Sequence, residues 1–369
     1  MFLPASLATW TDVDHQQIAT HIAPWNAPLA ADAAAAIGGD PRLPEVRRLV
    51  SRALDRDTTQ VQAIELRALD LALSGDTERA RALFRLSDRL SRRSLPTRLW
   101  LIQDQVDRGN VAGALRNFDL ALRTTTDAQP ILFPVLAKAS ADQTLTRPLA
   151  QVLDRPSDWR LMFIDWVIAN TADLAPVARV VAEMRDERFV LGSDLDQKLI
   201  ERLVTKGEFA QARALNWRFG HAASGVADPN FADSLARYPF GWGLVSNGSI
   251  GAERTLSGSS TVLSYRAAAA NSGQVAAQLL SLKPGRYVLS TTTAAAAVGG
   301  RPYWSVACAD AGGAQLARVD QPMAAHERTA SEFTIPPGCS AQWLTLRLRP
   351  AADSSEQSGA ITSVSVSGA

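Results

Sequence analysis

The sequence is poor in several residue types, and each shortage excludes a kind of protein. Its 369 residues include two cysteines and four histidines. No His-x-x-x-His pair, Cys-x-x-Cys pair or other cluster with metal-ligand spacing occurs, so we expect no metal site and no cofactor. A Gly-Lys-Ser/Thr phosphate loop and a serine at nucleophile-elbow spacing are absent too. The sequence therefore gives no support to catalysis, and we expect a protein that is not an enzyme.

Long apolar runs and a net charge are also missing. No apolar run approaches the ~20 residues of a bilayer-spanning helix, so we expect a soluble chain. The 38 basic side chains nearly cancel the 37 acidic ones. Without a positive field, nucleic acid is not an expected partner. Polar residues such as Thr9 and Asp12 interrupt any signal-peptide core, so an exported location would require that an N-terminal leader or anchor has been removed.

The composition changes near residue 220. Only 7 of the 23 glycines precede that point, whereas 56 of the 75 charged residues do. The first part is rich in Ala, Leu, Arg, Asp and Glu, which favour helices, and the second in Gly, Ser, Thr and Val, which favour strands and turns. We predict an α + β multidomain protein with four segments: an N-terminal extension 1–24, a helical domain 25–220, a linker 221–237 and a β-sandwich 238–369.

A repeat of 34 residues runs through the helical part. A shift of that length aligns four pairs of residues: Leu66 with Trp100, Gly75 with Gly109, Ala80 with Ala114, and Phe84 with Phe118. Ala212 follows Gly207 at the same spacing. Small alanines let paired helices approach, and glycine reverses the chain between them. The pattern predicts an α-solenoid of helix hairpins and resembles the tetratricopeptide repeat family. That resemblance implies a protein partner held by the repeats.

Two features of the helical part keep two interpretations each. Arginine-rich runs such as Arg89 to Arg98 fit solvated helix faces with partners one turn away, or an anion-binding patch. Four tryptophans fit either packing between repeats or a binding surface in the concave groove: Trp100, Trp159, Trp166 and Trp217.

Short apolar or alternating runs recur between turn signals in the second part. They cover residues 240–245, 261–267, 274–282, 287–295, 303–309, 315–319, 332–335, 342–348 and 361–366. Nine such runs predict an antiparallel β-sandwich of the jelly-roll type.

Four segments carry a further resemblance: Pro239–Leu244, Leu282–Leu289, Phe333–Cys339 and Gly359–Val366. In their order and spacing they resemble the β-sandwich of carbohydrate-binding modules, which is similar to galactose-binding-like domains. The resemblance implies a carbohydrate ligand. Sugar recognition combines aromatic faces with polar donors. The candidate aromatics are Tyr303, Trp304, Trp242, Trp343 and Tyr265, and the candidate donors are Arg254, Arg266 and Arg301.

Two neighbouring aromatics among these candidates cannot share one role. Tyr303 and Trp304 are adjacent, and successive side chains of a strand point to opposite faces of the sheet. We therefore expect one of the two rings to pack in the core and only the other to meet a ligand.

The two cysteines, Cys308 and Cys339, both lie in the predicted sandwich. They fit a disulfide or a pair of buried thiols. A disulfide would close a loop of about 31 residues, stabilise the domain by roughly 3 to 4 kcal/mol, and suit an oxidising compartment such as the periplasm. The abundance of arginine over lysine, together with the many alanines, is typical of a GC-rich bacterial genome.

Three functional hypotheses remain open from the sequence. The first is a non-enzymatic adaptor whose repeats bind a protein and whose sandwich binds carbohydrate, accessory to assembly or export of a bacterial surface polysaccharide. The second is a structural scaffold for protein–protein contacts that has no sugar site. The third is a polysaccharide hydrolase whose carboxylates converge only in the folded chain.

Overall fold

The computed structural model describes residues 40–184, 193–218, 225–232, 237–310, 312–350 and 356–369. The predicted N-terminal extension 1–24 lies outside the described residues. Within them the chain is helical up to residue 218 and built from strands after residue 242, so the predicted α + β class is confirmed. The helices are α1 Pro44–Arg56, α2 Val61–Leu73, α3 Thr77–Leu90, α4 Leu95–Asp107, α5 Val111–Thr124, α6 Gln129–Ala139, α7 Thr146–Leu153, α8 Asp158–Asn170, α9 Ala175–Glu183, α10 Ser193–Thr205 and α11 Phe209–Arg218. Two 3-10 turns, Thr126–Ala128 and Gln143–Leu145, precede α6 and α7.

The 34-residue period reappears in the geometry of the helix hairpins. Gly75 and Gly109 both take a positive φ, 88° and 68°, at the reversal between paired helices. Ala80 and Ala114, one turn into the next helix, are buried. The helix N-caps share the period as well: the side chain of Asp76 accepts from Arg79 N in α3, and that of Asn110 accepts from Gly113 N in α5. Assignment to the tetratricopeptide family stays a prediction.

A repeated ion pair, which the sequence analysis missed, links consecutive helices. Arg47 on α1 binds Asp70 on α2, and Arg81 on α3 binds Asp104 on α4, with Nη2–Oδ1 distances of 2.5 and 2.6 Å. The two pairs are again 34 residues apart. Both carboxylates are buried, so each needs its guanidinium to offset the loss of water.

The four tryptophans of the helical part differ in how far they are buried. Trp100 stacks on Phe84 with ring centroids 4.4 Å apart. Trp159 is buried and donates its Nε1 hydrogen to Asp119 Oδ1 at 2.9 Å. Trp166 is half-buried. Only Trp217, which is 70% exposed, offers most of its ring to solvent.

The strands form two five-stranded antiparallel sheets. They are β1 Gly243–Leu244, β2 Ile250–Ser257, β3 Ser260–Ala267, β4 Gly273–Leu280, β5 Gly285–Val298, β6 Tyr303–Cys308, β7 Gln315–Asp320, β8 Arg328–Ile335, β9 Gln342–Leu348 and β10 Gln357–Gly368. One sheet has the order β1-β4-β9-β6-β7 and the other β2-β3-β10-β5-β8. Their inner faces share one apolar core that includes Trp304, Leu289 and Leu344, so the predicted β-sandwich is confirmed.

Part of the segment predicted as a linker, 221–237, packs on the sandwich. Phe231 is fully buried in the sandwich core. The backbone N–H of Ala227 donates to Gln278 Oε1, and Gln278 Nε2 donates to the Ala227 carbonyl, at 2.8 and 2.9 Å. The described residues form two compact units, one of residues 40–139 with 147–163, the other of 140–146 with those from 164 onward. The boundaries 25–220, 221–237 and 238–369 stay predictions.

Cys308 ends β6 and Cys339 follows β8, and their sulfurs form a disulfide of 2.05 Å. The disulfide closes a loop with a sequence separation of 31 residues. Because it restricts the unfolded chain, a disulfide across such a loop stabilises the folded domain by about 3 to 4 kcal/mol. These sulfurs and Asp310 form one group of potential metal ligands in the described chain. The disulfide removes both thiolates, and Asp310 accepts bonds from Ser340 N and Oγ at 2.8 and 2.6 Å, so the group fastens two loops together. Among the described helices none is long and apolar enough to cross a membrane.

Candidate functional site

The sheet β1-β4-β9-β6-β7 presents an outer face rich in polar and aromatic side chains. Alternation along β6 places Trp304 in the core and Tyr303 on this outer face. Along β9 it places Leu344 and Leu346 in the core, and Arg347 on the outer face. Because β6 lies between β9 and β7, side chains from three strands meet around Tyr303.

Two arginines flank the ring of Tyr303. The guanidinium carbon of Arg318 lies 4.2 Å from the ring centroid and that of Arg349 lies 4.6 Å from it. Asp320 holds both cations: its Oδ1 is 3.3 Å from Arg318 Nε and 2.5 Å from Arg349 Nη2. Cation–π attraction and the shared carboxylate both favour these positions of the two guanidinium groups. We call these four residues the arginine–tyrosine cluster.

A pocket of about 400 Å³ adjoins the cluster at the sheet edge, between β7 and β8. We call it the edge pocket. It shares Arg318 and Asp320 with the cluster and adds Arg301, Gln321 and Glu327 to its walls. The lining thus offers guanidinium and amide donors beside carboxylate acceptors.

Gln321 in the wall of this pocket has an unused donor. The side chain is fully buried, and its Oε1 accepts from Trp304 Nε1 at 3.1 Å and from Thr291 Oγ1 at 2.8 Å. Since an indole N–H can only donate, the amide oxygen must face Trp304, which fixes the orientation of the amide. Nε2 has no hydrogen-bond partner among the described residues. By contrast, Gln342, another buried glutamine, uses both ends of its amide on backbone groups.

The other end of the outer face carries Trp343. Its ring stacks against Tyr238 with centroids 6.0 Å apart and planes at 21°. Burial and the charge of Glu201 raise the pKa of Tyr238. Between the two ends, the hydroxyls of Ser305 and Thr345 lie 2.8 Å apart on neighbouring strands. The face therefore has two aromatic positions with a polar stretch between them.

Three of the candidate aromatics, Trp304, Trp242 and Tyr265, are core residues, which corrects their place among the candidate ligand contacts. For the neighbours Tyr303 and Trp304 the structure shows the division that the sequence predicts, with one ring in the core. Trp304 is fully buried, and its indole N–H donates a hydrogen bond to Gln321 Oε1. Trp242 is 6% exposed and donates its Nε1 hydrogen to the carbonyl of Asp228. Tyr265 is 3% exposed, and burial raises its pKa to about 12. All three rings belong to the sandwich core, so none is available for stacking on a sugar.

The three candidate arginines lie in three different places. Arg301 lines the edge pocket. Arg254 is mostly buried and pairs with Asp228 at 3.1 Å, so it fastens the segment before the sandwich and is not a ligand donor. Arg266 is exposed on β3, in the other sheet, and does not join the cluster.

Several side chains of the site escaped the sequence analysis: Arg318, Asp320, Gln321, Arg347 and Arg349. A partial signal existed for two of them, because Arg318 and Asp320 alternate with the apolar Ala317 and Val319 and so belong to an outward face. Their meeting with Tyr303 depends on the strand order β9-β6-β7, which no local pattern encodes.

Comparison with known proteins gives likenesses to solved structures alone. No protein-family model and no curated protein matches the chain. Among solved structures it is similar to TmCBM61, solved in complex with β-1,4-galactotriose, at 13% identity over 35% of this chain and 88% of that one, with a TM-score of 0.25. A CBM4 structure matches at 14% identity over 38% of this chain and 98% of that chain, with a TM-score of 0.30. The enzymatically active domain of bacteriophage CBA120 tailspike protein 4 matches at 16% identity over 34% of this chain and 18% of that chain, with a TM-score of 0.26.

Two of these three structures are carbohydrate-binding modules. Likenesses with identities and TM-scores this low carry no argument about the ligand of this chain.

Proposed function

We propose that the sandwich binds a carbohydrate on its outer face, at the arginine–tyrosine cluster and the edge pocket, and that the ligand is acidic. The main support for this proposal is the pair of guanidinium groups that lie against Tyr303 and share the carboxylate of Asp320. Guanidinium groups held in place lose little freedom on binding, and their planar forks match carboxylates and pairs of hydroxyls.

The balance of charge around the cluster favours an acidic sugar over a neutral one. The cluster and the edge pocket together contain three arginines, Arg301, Arg318 and Arg349, and two carboxylates, Asp320 and Glu327. A fourth arginine, Arg347, lies opposite Tyr303 on the neighbouring strand. Asp320 already neutralises part of this charge through its two ion pairs. Arg301 has no ion pair with a described residue, and the unused donor of Gln321 lies in the same wall. A uronic acid carboxylate would satisfy such donors.

The extent of the outer face favours an extended oligosaccharide. Tyr303 pairs with Arg347 on β9, and Trp343 lies four residues further along that strand. At ~3.3 Å per residue the two aromatic positions are about 13 Å apart. The hydroxyls of Ser305 and Thr345 lie between them, but both side chains are buried and bond each other, so the sugar contacts we propose are at the two ends of the face.

The helical repeats complete the proposal as the protein-binding part of an adaptor. Hairpins that repeat every 34 residues build extended surfaces suited to a peptide or a partner domain. A disulfide in the sandwich supports an oxidising compartment such as the periplasm. The role we propose is accessory to assembly or export of a bacterial surface polysaccharide.

Affinity electrophoresis of the full chain tests sugar binding. Gels containing polygalacturonate are expected to retard the protein more than gels containing neutral galactan. Arg318→Ala removes one guanidinium from both the cluster and the edge pocket, so we expect an affinity about tenfold lower. Arg286→Ala is the matched control, because Arg286 forms an exposed ion pair with Glu332 on the other sheet. The control is expected to bind like the parent protein.

A second function is favoured by one specific observation. Tyr238 covers part of Trp343, as expected of a sandwich that is a structural scaffold without a sugar site. Absence of retardation by acidic and neutral polysaccharides alike would favour this scaffold and contradict the proposed sugar site. Equal weakening by Arg318→Ala and Arg286→Ala would show binding by net charge alone and would also contradict it.

A further inference from the structure

A second cationic site lies in the helical part, in a pocket of about 510 Å³ between α3, α4 and α5. We call it the arginine pocket. Its lining includes one carboxylate, Asp88, and four arginines: Arg85, Arg98, Arg108 and Arg116. Gln105, Asn110 and Asn117 add amide groups. Formal charges in the lining therefore sum to about +3 in a protein whose total charge is +1.

Arg98 gives this pocket a fixed and incompletely satisfied cation. Its side chain is 3% exposed. One terminal nitrogen donates to Asn117 Oδ1 at 3.0 Å, and the other pairs with Asp88. The buried Nε has no hydrogen-bond partner among the described residues. A buried donor without an acceptor is costly, and an anionic oxygen in the pocket would remove that cost.

The remaining arginines leave their charge largely uncompensated. Arg85 and Arg116 are exposed and form no ion pair with a described residue. Arg108 lies 3.9 Å from Asp104, but Arg81 already binds that carboxylate at 2.6 Å. Like charges that line one pocket repel one another, so an anion that neutralises them binds favourably.

We propose that the arginine pocket binds a small multivalent oxyanion through guanidinium groups of α3, α4 and α5. The shared chemistry is anionic oxygen, from phosphate or from carboxylate. This inference does not depend on sugar binding by the sandwich, because none of its residues belongs to the outer face. Of the arginine-rich run, Arg98 belongs to this proposed anion site, whereas Arg89 and Arg93 are exposed outside the pocket.

Isothermal titration of the full chain at low ionic strength tests the inference, with pyrophosphate and citrate as the probes. The probe that binds more tightly shows whether the pocket prefers phosphate oxygens or carboxylate oxygens. Arg85→Gln combined with Arg116→Gln is expected to weaken binding of that probe by about tenfold per arginine. The matched control is Arg89→Gln combined with Arg93→Gln, which removes the same charge from exposed positions outside the pocket. Added salt is expected to weaken binding to the parent protein.

Two results would overturn the inference: no heat of binding with either probe, or equal weakening by the pocket variant and the control variant. Circular dichroism establishes that each variant is folded. If the double variant in the pocket unfolds, Arg116→Gln alone carries the test, because Arg116 is exposed and forms no described ion pair.

Discussion

Tyr265 shows how a single side chain that looks available in the sequence is committed by its neighbour. It lies on β3 opposite Gly359 on β10, and its hydroxyl occupies the space that a Cβ at Gly359 would need. Glycine at that position lets the ring lie across the strand and into the core. The hydroxyl has no hydrogen-bond partner among the described residues.

Replacing this hydroxyl tests the account at the residue scale. Tyr265→Phe removes an unpaired buried polar group, so we expect the free energy of unfolding to rise by about 1 kcal/mol. Tyr287→Phe is the control, because the Tyr287 hydroxyl donates to the Lys283 carbonyl at 3.0 Å. That control is expected to lose about 0.5 to 1 kcal/mol. Chemical denaturation measures both, and a destabilised Tyr265→Phe would contradict the account.

The same residue predicts a dependence on alkaline pH. Burial raises the Tyr265 pKa to about 12 in the folded chain, above the ordinary tyrosine value of 10.0. The folded state therefore disfavours ionisation: the stability associated with the neutral phenol is present below pH 10 and is lost as the pH rises towards 12. Tyr265→Phe is expected to lose less stability than the parent protein over that range. Identical losses in the two proteins would show that another group is responsible.

At the scale of elements, the repeated ion pairs connect sequence period to helix packing. Arg81 is 11% exposed and Asp104 3%, so this pair is buried on both sides. Arg47 is 47% exposed, and its partner Asp70 has a second cation, Arg67, at 3.1 Å. The two pairs therefore share a geometry but differ in their surroundings.

Removing one arginine from each pair tests that difference. Arg81→Ala leaves Asp104 buried with only the more distant Arg108, so we expect a loss of about 3 kcal/mol in unfolding free energy. Arg47→Ala leaves Asp70 paired with Arg67, so we expect a loss of about 1 kcal/mol or less. Thermal and denaturant unfolding compare the two variants. Equal losses would mean that burial of the pair does not control its contribution.

How far the elements could be predicted depends on whether the signal is local. Turn glycines such as Gly75 and N-caps such as Asp76 act within a few residues, so the helix hairpins were readable from the sequence. Strand β2, Ile250–Ser257, was missed because Gly251 and the charged pair Glu253–Arg254 weaken its apolar pattern. The cluster around Tyr303 could not be predicted, because the order β9-β6-β7 brings together residues distant in the chain.

At the scale of the whole molecule, the net charge of +1 hides two concentrations of positive charge. One lies around Tyr303 on the outer face of the sandwich, and the other lines the arginine pocket of the helical part. A balanced total argues against unspecific binding of polyanions. A local excess of positive charge at these two places is compatible with selective binding of small or oligomeric acids.

The most direct test of acidic sugar binding is a titration of the full chain with an oligogalacturonide and with its carboxyl-reduced, neutral counterpart. The two ligands have the same ring and linkage and differ only at C6, where the acidic ligand has a carboxylate and the neutral one a hydroxymethyl group. The account predicts that the acidic ligand binds at least about tenfold more tightly, and that added salt narrows this difference. Equal affinities, or no binding of the acidic ligand, would contradict it.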